Sequence, residues 1–216
     1  MDSTDLDGLI VAPGIDSPGK RAPRRDAIEN RHRLIQAASE VFGEHGTDVT
    51  LELVASHAGL GMATLYRRFP TKNDLVAELT HQLLNYLVDV AAEEATTDDG
   101  LGLERWLTEY ADLQSRKRGM LGHLWATDPS TAPLRDKFTE LLGSLLRQAQ
   151  DAGHIRSDAT LDDVLLLIYA LRGIAASTAY DDTDAWRRHL AVTLAGLRTT
   201  DIPLDAPPWS PHKAES

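Results

Sequence analysis

The chain has 216 residues, 42% of them hydrophobic, which is enough for one sizeable core or two small ones. It contains no cysteine, which excludes disulfides, thiolate metal sites and thiol nucleophiles and fits a reducing, cytoplasmic setting. A formal net charge of −11 excludes a surface that attracts polyanions all round.

Residues 1–19 mix glycine, proline and aspartate without helical periodicity and are predicted to be a disordered leader. They lack the charged-then-apolar order of a signal peptide. Lys20, Arg21, Arg24 and Arg25 follow within KRAPRR, completing a leader with a basic arm over 1–26. The run reads either as a solvated tail or as an arm reaching phosphates or a minor groove. The first helical pattern spans about Ala27 to His45, with Ile28, Leu34, Ile35, Ala38, Val41 and Phe42 on one side and Gly46 as its stop.

Thr50 to Leu75 reads as two short helices joined by a glycine turn. Leu51, Val54, Ala55, Ala58, Leu60, Leu65 and Phe69 recur at three- and four-residue intervals as one buried stripe, and Gly59 and Gly61 interrupt it where the chain turns. A DNA-reading helix needs small or polar residues at its N-terminal end so that base edges can be approached. Here Gly61, Met62, Ala63 and Thr64 open the second helix and Tyr66, Arg67 and Arg68 follow, while Leu65 and Phe69 point to the core. Thr50 is expected to cap the first helix beside a phosphate, and Lys72 adds a point charge at the next helix start. The charge is also divided: residues 20–81 hold nine Lys/Arg against eight Asp/Glu, net +1, leaving −12 for the rest. The competing readings are a helical hairpin with no DNA role, and core packing for Tyr66.

A fourth helix is capped by Thr71 with Asp74 in its first turn, carries Leu75, Val76, Leu79, Leu83, Leu84, Leu87 and Val88, and stops near Ala95 at TTDDG. Five further helices are predicted, over about Leu103–Arg118, Met120–Ala126, Ala132–Ala152, Leu161–Tyr180 and Thr183–Arg198, with no strand alternation and no internal repeat. The longest apolar run, around Val164 to Ala170, is far below the roughly 20 residues that span a bilayer, so no membrane partner is expected. Proline from 203 to 211 marks a loose tail over 201–216.

These patterns give an all-α fold: a three-helix helix-turn-helix domain over 27–84, then a larger helical domain over 85–200. Trp106, Tyr110, Met120, Leu124, Trp125, Phe138, Tyr169 and Arg172 are candidates for an internal pocket, because Trp106/Tyr110 and Met120/Leu124 share faces at i,i+4. A largely apolar effector fits such a lining. Arg172 interrupts an apolar helix and is expected in a structural salt bridge, with an anionic ligand as the other reading. None of the eight histidines forms HExxH or another close ligand set, so neither metal nor cofactor is expected, and His123 and His154 stay without a role. No nucleophile–base spacing or phosphate loop argues for catalysis. A helical carrier or enzyme that keeps the hairpin as scaffold, and an architectural DNA binder without a pocket, are the alternatives.

The segment A-G-L-G-M-A-T-L-Y-R-R-F resembles the DNA-binding domain of the TetR family of transcriptional regulators, with R-L-I-Q-A-A-S-E-V-F-G-E-H-G upstream and K-N-D-L downstream, over about Ile28 to Leu84. The resemblance implies phosphate contacts for Thr50, Thr64, Tyr66 and Lys72, and a groove-facing set of Met62, Ala63, Tyr66 and Arg67. Gly61 departs from the family pattern, which often has a serine there. The resemblance also implies a homodimer on a palindromic double-stranded operator, repression relieved by a small-molecule effector, and a four-helix interface built from the last two helices. Their apolar residues Leu165, Ile168, Leu171, Ala175, Leu190, Leu194 and Leu197, with the small Gly173, Ala176 and Gly196, suit that interface or an ordinary core.

Overall fold

A computed structural model describes residues 21–46, 48–116, 132–177, 184–198, 200 and 202–206. Eight helices follow one another among them: α1 (Arg21–His45), α2 (Leu51–His57), α3 (Met62–Arg68), α4 (Lys72–Glu94), α5 (Gly102–Arg116), α6 (Ala132–Asp151), α7 (Leu161–Ala176) and α8 (Ala185–Leu197). The helix expected over Met120–Ala126 lies outside the described residues, and among those described no strand is present beyond one isolated bridge, Ile155 to Arg198.

The described part of α1 starts at Arg21, so Arg21, Arg24 and Arg25 stand on helical backbone. Pro23 falls in its first turn, where a missing N–H costs nothing. Gly46, at φ 75°, ends it with a bond from its N–H to Phe42 O at 3.0 Å, in the left-handed conformation that glycine adopts cheaply. Leu34, Ile35, Ala38, Val41 and Phe42 form its buried side, but Ile28 is exposed.

α4 starts in the expected way. Thr71 Oγ1 accepts from the Asp74 N–H at 3.1 Å while the Thr71 N–H donates to Asp74 Oδ2 at 2.8 Å, a reciprocal capping box. Its nine buried residues, from Leu75 to Ala91, face α1 at one end and α5 and α6 further along. The expected domain boundary at residue 84 therefore falls within an uninterrupted helix. Tyr86 Oη donates to Glu109 Oε1 at 2.8 Å, and Trp106 Nε1 donates to Leu87 O at 3.0 Å, tying α5 to α4. Burial and the neighbouring Glu109 carboxylate push the Tyr86 phenol far above its ordinary range.

The last helices correct the interface reading. Ile168, Leu171, Leu190, Leu194 and Leu197 are buried within the chain itself. The open side carries Leu166 and Val192, 46% and 55% exposed, with Gly173, Ala191, Ala195 and Gly196. Sequence spacing marks a stripe but not what covers it, and here intramolecular packing takes the larger stripe.

The tail also departs from expectation. The Arg156 N–H bonds Leu197 O at 2.9 Å, and Arg156 Nη2 donates to Ile202 O at 2.6 Å and to Asp158 Oδ2 at 2.8 Å. Asp158 Oδ2 in turn accepts from the Leu204 N–H at 3.1 Å. Residues 202–204 are thus clasped to the α6–α7 connection. No helix among the described residues is long and apolar enough to cross a membrane.

Candidate nucleic-acid interface

α2 and α3 have seven residues each, too few to be stable alone, so tertiary contacts must hold them. α2 is anchored by Leu51, Val54 and Ala55, and α3 by Leu65 alone among its fully buried residues, with Phe69 burying the turn after it. The turn between them is a paired C-terminal cap: the Gly59 N–H bonds Ser56 O at 3.0 Å and the Leu60 N–H bonds Ala55 O at 2.9 Å. Gly59 supplies the required φ of 62°.

Gly61 is different in kind. Its φ of −77° and ψ of 151° are open to any residue, and an added Cβ would meet nothing within 4 Å. Its carbonyl accepts from the N–H groups of Thr64 and Leu65 at 2.9 and 3.2 Å, so it is the N-cap of α3 without a capping side chain. Ala63, Tyr66 and Arg67 are exposed, Tyr66 by 48%, and Thr64 is half-buried. These residues share one outward face. Met62 does not share it fully, because its side chain packs partly against the core, and Arg68 also turns partly inward.

Two further expected contacts are changed by the structure. Thr50 stands at the N-cap of α2 but makes no capping hydrogen bond, which leaves an exposed hydroxyl beside that helix start. Lys72 Nζ donates to Val49 O at 2.8 Å, joining the start of α4 to the loop before α2. One of its three ammonium donors is therefore engaged within the protein.

α1 supplies cations that the sequence reading passed over. Arg33 Nη2 donates to Ala58 O at 2.6 Å and to Gly59 O at 3.4 Å, at the end of α2. Arg31 pairs with Glu78 at 2.6 Å and lies over the Phe69 ring, 5.9 Å from its centroid. His57 Nε2 stands 2.6 Å from Glu40 Oε2, a second residue pair, after that of Arg33, joining α1 to α2. No local pattern announces these pairings, since each joins residues brought together only by helix packing.

The candidate pocket residues fall into three groups. Trp106, Tyr110 and Phe138 form a solid aromatic cluster, with ring centroids 5.3 Å apart for both Trp106 pairs, and each is essentially inaccessible to solvent. Their shared face is core, because Phe138 of α6 fills the space against Trp106. Tyr169 is half-buried under the Arg172 guanidinium at 5.4 Å, a cation–π contact in place of the expected salt bridge. Met120, Leu124 and Trp125 lie outside the described residues, as does His123. A cavity of about 300 Å³ opens elsewhere, between the start of α5 and the ends of α6 and α8, lined by Leu103, Ile155 and Leu194 below and Glu104, His154 and Arg198 at the rim. His154 also bonds Asp99 O at 3.1 Å through Nε2. Among the described residues, no group of three His, Asp or Glu is placed to hold a metal.

Comparison with known proteins agrees with this geometry. Residues 34–79 match the family model of bacterial regulatory proteins of the tetR family, and residues 98–199 match a model for the C-terminal domain of SbtR-like transcriptional regulators. An HTH-type transcriptional regulator of Staphylococcus aureus is 39% identical over 66 residues, 30% of this chain and 36% of that regulator, so the match spans about a third of its length. A TetR transcriptional regulator from Streptomyces coelicolor has 33% identity over 79% of this chain and 99% of its own, with a TM-score of 0.57. One from Mycobacterium vanbaalenii has 26% identity over 82% and 100%, with a TM-score of 0.59. Both models describe regulators of transcription and not enzymes. The helix-turn-helix unit, the all-helical body and these matches agree: this chain belongs to the TetR family of transcriptional regulators.

Proposed function

We propose that the protein is a cytoplasmic, ligand-responsive repressor that binds a palindromic DNA operator as a homodimer and leaves it when a small molecule binds the helical body. The observation that carries the reading is the outward face of α3, where Ala63, Tyr66 and Arg67 are exposed on a helix held by Leu65. In this reading Ala63, Tyr66 and Arg67 approach base edges, with Met62 contributing only its exposed edge. The Gly61 backbone and the Thr50 and Thr64 hydroxyls meet phosphate, and Lys72 keeps two ammonium donors for the same purpose.

The dimer is assigned to the open side of α7 and α8, where Leu166 and Val192 rise among Gly173, Ala191 and Ala195 and helices can approach closely. Two-fold symmetry then places two reading heads on two half-sites. An effector that favours a different spacing of those heads weakens DNA binding, and DNA weakens effector binding by the same factor. The described cavity beside Glu104 and Arg198 is a candidate volume for it. A gel-shift titration with the duplex upstream of the protein's own gene tests the reading. A salt-sensitive shift by the dimer is expected, and no shift at low salt by a folded dimer overturns it.

A further inference from the structure

Arg33 belongs to α1, outside the two helices that form the reading unit, and a cation so close to that unit invites assignment to a phosphate. Its geometry points elsewhere. The paired cap at the end of α2 uses the carbonyls of Ser56 and Ala55, and two residues past Ser56 the carbonyl of Ala58 receives Arg33 Nη2 at 2.6 Å. That oxygen lies at the negative end of the helix, where a guanidinium is favoured both by charge and as a hydrogen-bond donor. The same nitrogen reaches Gly59 O at 3.4 Å, and a Cβ built on Gly59 would lie 2.9 Å from it, so the guanidinium fills the space against the turn.

α3 starts three residues beyond Gly59 and has one fully buried residue, Leu65. Leu65 and the buried Phe69 just past its end hold the helix on its C-terminal side, and Met62 packs only partly against the core, so the angle of its start is set by the segment that leads into it. We propose that Arg33 is a positioning residue for DNA reading: it locks the carbonyl end of α2, thereby fixes the angle at which α3 leaves the turn, and makes no phosphate contact. This rests on the DNA-binding reading above. Arg31, two residues earlier, is likewise engaged by protein groups, Glu78 and the Phe69 ring, and Arg33, although exposed, holds its Nη2 on the carbonyls that follow α2.

The test separates positioning from phosphate contact by salt dependence. The wild-type protein selects a duplex from a random-sequence pool, and that duplex is titrated against wild type, Arg33→Met and Arg33→Lys between about 50 and 200 mM salt. Arg33→Met is expected to weaken binding about tenfold at every salt concentration with an unchanged slope of log K against log salt, whereas a lost phosphate contact lowers that slope by about 0.9. Arg33→Lys, which keeps a donor for Ala58 O, should recover most of the affinity. A slope reduced by about one unit, or affinity equal to wild type, overturns the proposal. Hydrogen exchange on the DNA-free protein gives a second readout. In Arg33→Met the amides of Gly59, Leu60, Thr64 and Leu65 should exchange faster while those of α5 to α8 keep their rates, and no change, or acceleration spread evenly along the chain, overturns it. If wild type selects no duplex, the DNA-binding reading fails, and the exchange experiment still decides whether Arg33 holds the turn.

Discussion

Two glycines two residues apart hold different positions in the energetics of the turn. Gly59 has φ 62°, which strains any L side chain, and a Cβ there would push the Arg33 guanidinium aside, so Gly59→Ala should destabilise the protein by about 1 kcal/mol. Gly61 has ordinary extended backbone and open space around it, so Gly61→Ser should add a cap to α3 and stabilise by a few tenths of a kcal/mol. Chemical denaturation of both variants checks the opposite signs, and a destabilised Gly61→Ser would mean that the open geometry of the cap is misread. Arg67 is the exposed arginine of α3, and Arg67→Ala should cost about 1–3 kcal/mol of operator affinity and relax preference at one base pair if its fork grips a guanine. Binding that weakens equally across operator variants would place it on phosphate. Both glycines stand out in the sequence as breaks in an apolar stripe, but only backbone angles tell the obligatory one from the replaceable one.

Among the elements, the helices that carry their own signals were legible in advance. Thr71 with Asp74 announced α4, Gly46 announced the end of α1, and the stripe from Leu75 to Val88 announced the buried side. What could not be read was set by distant partners. Thr50 has a capping side chain and does not use it, Lys72 turns to Val49, and the aromatic face of α5 is closed by Phe138. The clasp between the α6–α7 connection and the C-terminal segment was invisible for the same reason, and it has a pH signature. The Asp158 carboxyl is held well below the ordinary range, first by its hydrogen bonds from Arg156 and then by the Leu204 N–H. A lowered carboxylate pKa stabilises the fold fully above the unfolded value near 4, and that stabilisation fades as pH falls through the lower folded value. The Leu204 amide resonance should therefore stay constant through neutral pH and titrate well below pH 4, while Asp158→Asn should free residues 202–206 to proteolysis at pH 7. An amide that titrates near pH 4, or an unchanged cleavage rate in the variant, would rule the clasp out.

At the level of the whole molecule, the buried apolar residues among those described form one cluster from Leu34 in α1 to Leu197 in α8, continuous along α4. The reading unit and the body should therefore unfold in a single calorimetric transition, whose midpoint rises with protein concentration if the dimer is as proposed. Two resolved transitions would show that the core breaks at α4. That helix has 23 residues and no interruption, which makes it about 34 Å long. It is held by α5 and α6 towards one end and by the Arg31–Glu78 pair and the Thr71 cap at the other. Pivoting by about 8° at Leu87, where α5 grips it, the helix carries its tip at Lys72, about 22 Å away, through about 3 Å, the length of a hydrogen bond. Angular play too small to disturb the packing of the body is thus enough, at the far tip, to take a side chain out of register with a base edge.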